Sequence, residues 1–261
     1  MFSPKTEKIK KITERNQEAV ERLEKLLGNS TRVYIDYANV RPWSTKLHWH
    51  IDLRRLKQFL DSFDTVGAVS FYGGYIKGDE RSEREIKQVE DLAYIVRTKP
   101  VKFLRFSINA SSISADSTAL LKPFIRRALL RKYEVSTIEY LNERFADMNK
   151  KGEYYIEDRK CNFDVEISTD MLLDSERKNG EIFVLWSGDS DFAEPVKKLL
   201  EAGRKVVLCA TAGKISSELN TLRVKGLEVF DIFHIKDLIC WNREINKRLD
   251  KSTKDSVSGA P

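Results

Sequence analysis

Apolar positions along this chain follow two rhythms, one helical and one of short unbroken runs. From 5 to 27, Ile9, Ile12, Ala19, Val20, Leu23 and Leu27 recur at spacings of three, four and seven among charged residues. That predicts an amphipathic helix ending at Gly28-Asn29-Ser30. VYIDYANV (33–40) is the first unbroken run, and it predicts a buried strand that turns just after Asp36. The pattern continues with a helix over 52–61, a strand over 66–72 closed by a turn at Gly73-Gly74, and a surface helix over 80–97. On that last helix Ile86, Val89, Leu92, Ala93 and Val96 share one stripe.

A third strand is predicted over 101–106, then a basic helix over 120–132, a strand over 134–140 and part of a hairpin over 153–159. The last third is more regular. It predicts a helix over 162–177, a strand over 181–186, a helix over 190–202 closed by Gly203, and a strand over 205–210. A short helix over 216–222 and an edge strand over 227–230 follow, and residues beyond 246 are polar without periodicity. Strands alternate with helices, and the strands are apolar throughout. This predicts an α/β domain whose parallel sheet is covered on both faces.

Composition narrows the function classes. Hydrophobic residues make up 41% of the 261 residues and charged ones 33%, and no apolar run approaches the roughly 20 residues that a bilayer span requires. The N-terminus is basic but lacks the apolar segment of a secretory signal. Cys161, Cys209 and Cys240 show no metal-ligand or disulfide spacing, so they read as reduced thiols of a cytoplasmic protein. The formal charge of +6 favours a polyanionic partner. Against that basic background, the most distinctive motifs are acidic.

In parallel α/β sheets, ligands bind beyond the carboxyl ends of the strands. Asp36 ends the first predicted strand, and Asp189 and Asp191 follow the strand 181–186 within SGDSD, where Gly188 allows an unusual backbone conformation. Asp164 opens the helix 162–177. Any one of these acids is explicable as a helix cap or a first-turn complement to the helix dipole. Their joint delivery to one rim of the sheet is better explained by a cation held among repelling carboxylates. Asp170 lies about 240° around the helix from Asp164 and ranks below it. Oxygen ligands without His or Cys suit Mg²⁺ or Mn²⁺. His48, His50 and His234 pair with no obvious nucleophile, which favours metal-assisted hydrolysis of a phosphate ester.

Three motifs carry a resemblance to NYN domains, a branch of the PIN-like nuclease superfamily. VYIDYANV resembles the family's strand-Asp-x-x-Asn start, FDVEISTD (163–170) its helix with two aspartates, and VLWSGDSDF (184–192) its Ser-Gly-Asp-Ser-Asp-Phe signature. The likeness extends from about Arg32 to Leu238. It implies a three-layer PIN-like, Rossmann-like α/β fold and a metal-dependent endoribonuclease acting on RNA, with DNA not excluded. Carried over by motif, Asp36, Asp164, Asp189 and Asp191 would hold metal, Asn39 would position the site, and Ser187 would support the acidic loop. The family's lysine lies three residues before the helix Asp; the counterpart here, Lys160, lies four before Asp164. Lys160 and Asp170 enter as supporting residues. On this reading residues 31–245 are the nuclease domain, 107–153 an insertion, 1–30 a helical extension suited to docking or homo-oligomerisation, and 246–261 a flexible tail.

Basic and aromatic residues supply further candidates for nucleic-acid contact. Arg41, Trp43 and Trp49 follow Asn39 closely, Lys77 follows the glycine pair, and Arg126 and Arg127 lie in the basic segment. For each, a core or solvated role is the competing reading. Two other functions compete with the ribonuclease: a nucleic-acid-binding or scaffold module without turnover, and a Mg²⁺-dependent phosphohydrolase of small substrates.

Overall fold

A computed structural model describes residues 1–107, 129, 131–152, 155–211 and 213–240. The chain forms two compact units, Met1–Val101 with Cys161–Pro261, and Lys102–Lys160. Among the described residues the strands are β1 (Thr31–Asp36), β2 (Val66–Tyr75), β3 (Ile95–Pro100), β4 (Lys102–Ser107), β5 (Tyr155–Lys160), β6 (Ile182–Trp186), β7 (Lys205–Ala210) and β8 (Glu228–Asp231). The helices are α1 (Glu7–Thr13), α2 (Gln17–Leu26), α3 (Tyr37–Val40), α4 (Trp43–Leu47), α5 (Leu53–Leu60), α6 (Glu80–Glu90), α7 (Val135–Lys151), α8 (Asp164–Glu176), α9 (Ala193–Glu201), α10 (Ser217–Thr221) and α11 (Lys236–Ile239).

The first unit is an α/β domain around a six-stranded sheet of order β3-β2-β1-β6-β7-β8, with every neighbouring pair parallel. The chain steps outward from β1 to β3, returns to β6 beside β1, and steps outward again to β8. The order therefore reverses between β1 and β6, where Ile35 lies opposite Trp186. Such a reversal opens a crevice at the carboxyl ends of the two strands. Both strands can sit at the centre because Val33, Ile35, Phe183, Val184 and Leu185 are buried on both faces.

Side-chain alternation assigns the two faces. Tyr34 and Tyr72 point toward α8, and Phe71, one residue out of phase, faces the opposite side with α5 and α6. Glu166, Asp170 and Asp174, spaced four apart on α8, form one row directed at the sheet. Glu166 pairs with Lys99 of β3. Asp170 accepts from the Tyr72 hydroxyl at 2.7 Å and from Arg97 Nε at 2.8 Å. Asp174 accepts from the Tyr34 hydroxyl at 2.7 Å. Burial and these acceptors push both phenols far above their ordinary pKa, so they remain protonated donors. Beside that row, Ile167 and Met171 enter the core. The helix is thus registered on the sheet by polar anchors as well as by apolar packing.

Several predicted elements differ from those observed. The single helix over 5–27 is two, because Thr13 Oγ1 and Asn16 Nδ2 donate to the carbonyls of Ile9 and Ile12, each at 2.9 Å, and draw the chain into a turn. Ile9, Val20, Leu23, Leu26 and Leu27 join the domain's own core, so homo-oligomerisation through that stripe is not supported. α6 stops at Glu90, and the chain turns through Ala93 at φ 58° into β3, a strand hidden in the sequence by its charge. Edge strands carry such charges routinely. The strand predicted over 101–106 is β4, which pairs antiparallel with β5 outside the main sheet.

Gly73 and Gly74 lie inside β2, not in a turn. A Cβ on Gly74 would stand 2.4 Å from Cys161 Sγ, so close packing requires the glycine. Residues 134–140, rich in β-formers, begin the helix α7, which ends at Gly152 with φ 68°. The predicted helix 120–132 lies outside the described residues save Leu129, Arg131 and Lys132, and the predicted tail 246–261 lies outside them entirely.

The anchoring of α8 is open to test. Asp174→Ala leaves the buried Tyr34 hydroxyl without its acceptor and should cost about 1–3 kcal/mol in urea denaturation. Tyr34→Phe, which removes the buried donor itself, should cost less.

Candidate active site

Asp36 is the last residue of β1 and is only 3% exposed. It caps α3, accepting from the Asn39 amide at 3.3 Å, and its other oxygen accepts from Ser187 Oγ at 3.1 Å. Ser187 directly follows β6 and is buried. Its hydroxyl oxygen also accepts from the Asp189 amide at 3.3 Å. Asn39 Oδ1 accepts from the Gly188 amide at 3.3 Å. The loops after β1 and β6 are therefore joined across the crevice by a small hydrogen-bonded network.

Gly188 is required by proximity, not by backbone conformation, since its φ is not positive. A Cβ there would stand 1.7 Å from the Lys214 carbonyl oxygen. The Ser216 amide donates to the Gly188 carbonyl at 3.0 Å, so the loop after β7 presses on the acidic turn. Asp189 caps the 3₁₀ turn Ser190–Phe192, accepting from the Asp191 amide at 3.2 Å. Capping accounts for Asp189 locally. It does not account for Asp191, which is exposed, or for Asp164, the half-buried first residue of α8.

Electrostatics ties these acids together. Burial raises the Asp36 carboxyl from its ordinary 3.8 to about 6. Hydrogen bonds from Ser187 and Asn39 oppose that rise, while the charges of Asp164 and Asp189 add to it. Asp164 is also raised, by burial first and then by Asp189, Asp191 and Glu166, with Lys99 opposing. Acids from three separate chain segments thus repel one another over a short range. A cation among them would relieve that repulsion, and a set of carboxylate oxygens suits a hard divalent ion. Among the described residues, no three acidic, His or Cys side chains stand together as a finished ligand set. The donor chemistry of these carboxylates fits such an ion.

The other candidates are placed differently. Asp170 is engaged with Tyr72 and Arg97. Lys160 ends β5 in the second unit, opposite Lys102. Trp43 and Trp49 are each 2% exposed and belong to the core, so neither offers a ring face for stacking. Arg41 is exposed and pairs with Glu85 at 3.5 Å, and Lys77 is exposed just beyond the carboxyl end of β2. Arg126 and Arg127 lie outside the described residues.

One basic residue escaped the sequence reading. Lys99 of β3 pairs with Glu166, lies 4.4 Å from the centre of the Phe163 ring, and is the cation that moderates Asp164. Alternation on a correctly placed β3 puts Arg97 and Lys99 on the face of Tyr72, which is the signal that would have found it.

Comparison with known proteins adds a family. The family model of the NYN domain matches residues 30–222. No curated protein sequence matches the chain. A solved structure of a protein of unknown function from Vibrio parahaemolyticus aligns with 82% of this chain and 96% of its own at 14% identity, with a TM-score of 0.49.

Two outcomes are expected from the site as built. Asp36 has a raised folded-state pKa, so its contribution to stability is fully present below about 3.8 and is lost as pH rises through about 6. In EDTA, wild type should lose on the order of 2–3 kcal/mol relative to Asp36→Asn between about pH 4 and about pH 8. A difference in urea denaturation that does not vary with pH would refute this. Gly188→Ala should destabilise the protein by about 1–3 kcal/mol or more, read as a lowered Tm, because the Lys214 carbonyl occupies the space that a Cβ needs.

Proposed function

The chain belongs to the NYN domain family, and from that premise we propose that it is a metal-dependent endoribonuclease. Members of the family are generally nucleases that use divalent metal. The observation that carries the reading is the joining of Asp36 and the Asp189 loop through Ser187 at the sheet's reversal point, where the charges of Asp164 and Asp189 add to the raised pKa of Asp36. Asp36, Asp164, Asp189 and Asp191 are the residues that would hold Mg²⁺ or Mn²⁺. When bound, the ion would supply an activated water and neutralise charge on the phosphodiester.

The chain's own groups do the rest. Ser187 and Asn39 hold the buried Asp36 carboxylate and the acidic turn in fixed relation. The exposure gradient from buried Asp36 to exposed Asp191 leaves one side of the cluster open to a polymer. Lys99 places a positive charge beside Asp164, where it would attract a phosphate. The net charge of +6 supports a polyanionic substrate, and its attraction would weaken with salt.

One observation favours a second reading, a nucleic-acid-binding module without turnover: the lack of a finished ligand set among the described residues. Labelled RNA incubated with Mn²⁺ or with EDTA separates the two. Cleavage should require metal and fall by more than about 100-fold in a folded Asp189→Asn variant, since even outer-shell partners of metal sites cost about 10–100-fold. RNA binding that EDTA leaves unchanged, with no cleavage of any RNA tested, would establish the binding module instead.

A further inference from the structure

The carboxylates lie on the face of the sheet that α8 covers, and the opposite face holds a separate concavity. A cavity of about 360 Å³ opens among α3, α5 and α6 above Phe71 of β2. That volume lies within the roughly 300–1,000 Å³ typical of small-ligand pockets. Tyr37, which is partly exposed, packs over the buried Phe71 with ring centroids 5.0 Å apart and planes tilted by 43°, so the aromatic wall of the cavity is the Tyr37 ring. Arg41, Arg54 and Arg81 line it as well. Their acidic neighbour Glu85 lies 3.5 Å from Arg41 and 3.7 Å from Arg81. Asp52, the other acid present, caps α5 by accepting from the Arg55 amide at 3.1 Å. Three guanidinia against these two carboxylates leave an excess of one positive charge beside the apolar wall.

This combination is suited to one ligand chemistry. Aromatic and apolar surface accepts the flat face of a nucleobase, and guanidinia accept its phosphate. The position is equally specific. Tyr37, Val40 and Arg41 sit three and four residues apart on α3, and all three line this cavity or a smaller one of about 180 Å³ that shares Tyr37, Arg41, Arg81 and Glu85 with it. Asp36 caps the same helix, and Asn39 reaches the other way to the Gly188 amide. A single short helix therefore separates the cavity from the carboxylates.

We infer that this cavity is a nucleotide subsite, taking one base and its phosphate from the strand whose neighbouring phosphodiester meets the carboxylate cluster. The strand in that statement rests on the nuclease reading above, whereas nucleotide binding by the cavity does not. Glu85 then acts as an internal competitor that holds two of the guanidinia until a phosphate displaces it.

Calorimetric titration of the intact protein in EDTA with AMP and UMP, and with inorganic phosphate alone, tests this. Saturable nucleotide binding is expected in wild type, weakened about tenfold in Arg81→Ala, a loss of about 1.4 kcal/mol. Binding should tighten severalfold in Glu85→Gln, an effect that loss of structure would not produce, and should match wild type in Asp189→Asn. No nucleotide binding by wild type, inorganic phosphate binding as tightly as the nucleotides, or Arg81→Ala indistinguishable from wild type would each overturn the subsite. Nucleotide binding without RNA cleavage would retain the subsite and remove the nuclease, and cleavage without nucleotide binding would do the reverse.

Discussion

One serine hydroxyl holds the centre of this molecule together. Ser187 donates to the Asp36 carboxylate and accepts from the Asp189 amide, so a single buried oxygen links the ends of two central strands. The reversal of strand order between β1 and β6 opens a crevice there, and an open crevice would leave the Asp36 carboxylate without partners. The Asn39 amide and the Ser187 hydroxyl supply them, and Asn39 completes the link through the Gly188 amide. Burial nevertheless outweighs these bonds, and Asp36 carries a pKa of about 6.

That imbalance costs stability whenever Asp36 is ionised, since the acid is 3% exposed and lies next to the charges of Asp164 and Asp189. Placing Asp164 beside them depends in turn on α8. Its row of Glu166, Asp170 and Asp174 grips Lys99, Tyr72 with Arg97, and Tyr34, which lie on three adjacent strands. The buried phenols need acceptors, the acids need donors, and meeting both requirements sets the helix in one register. Its first turn then falls at the rim where Asp36 ends its strand.

The short helix α3 shows how closely two environments can be set back to back. Its cap and Asn39 serve the polar network of the crevice, while Tyr37 and Arg41 face a cavity with an aromatic wall. On the far side of the acidic turn, Lys214 presses so near that only a glycine fits at position 188. Both arrangements bring together residues from loops that are distant in sequence.

The central strands and the helices α5, α8 and α9 were legible in the amino-acid sequence, whereas α3 and α4 were not. β1, β6 and β7 are unbroken apolar runs, and a strand buried on both faces has no other pattern available to it. Asp36 and Asp189 were legible because position at a strand's carboxyl end is a local property. Edge and close-packed positions were not legible. β3 carries Arg97 and Lys99 because one of its edges is open, so it resembled a helix end. Gly74 resembled part of a turn because the demand for its missing side chain comes from Cys161, far along the chain. Tryptophans beside basic residues resembled a stacking surface until the tertiary structure buried Trp43 and Trp49 in the core. Only that structure could decide these positions, because each depends on which distant segment is packed against it.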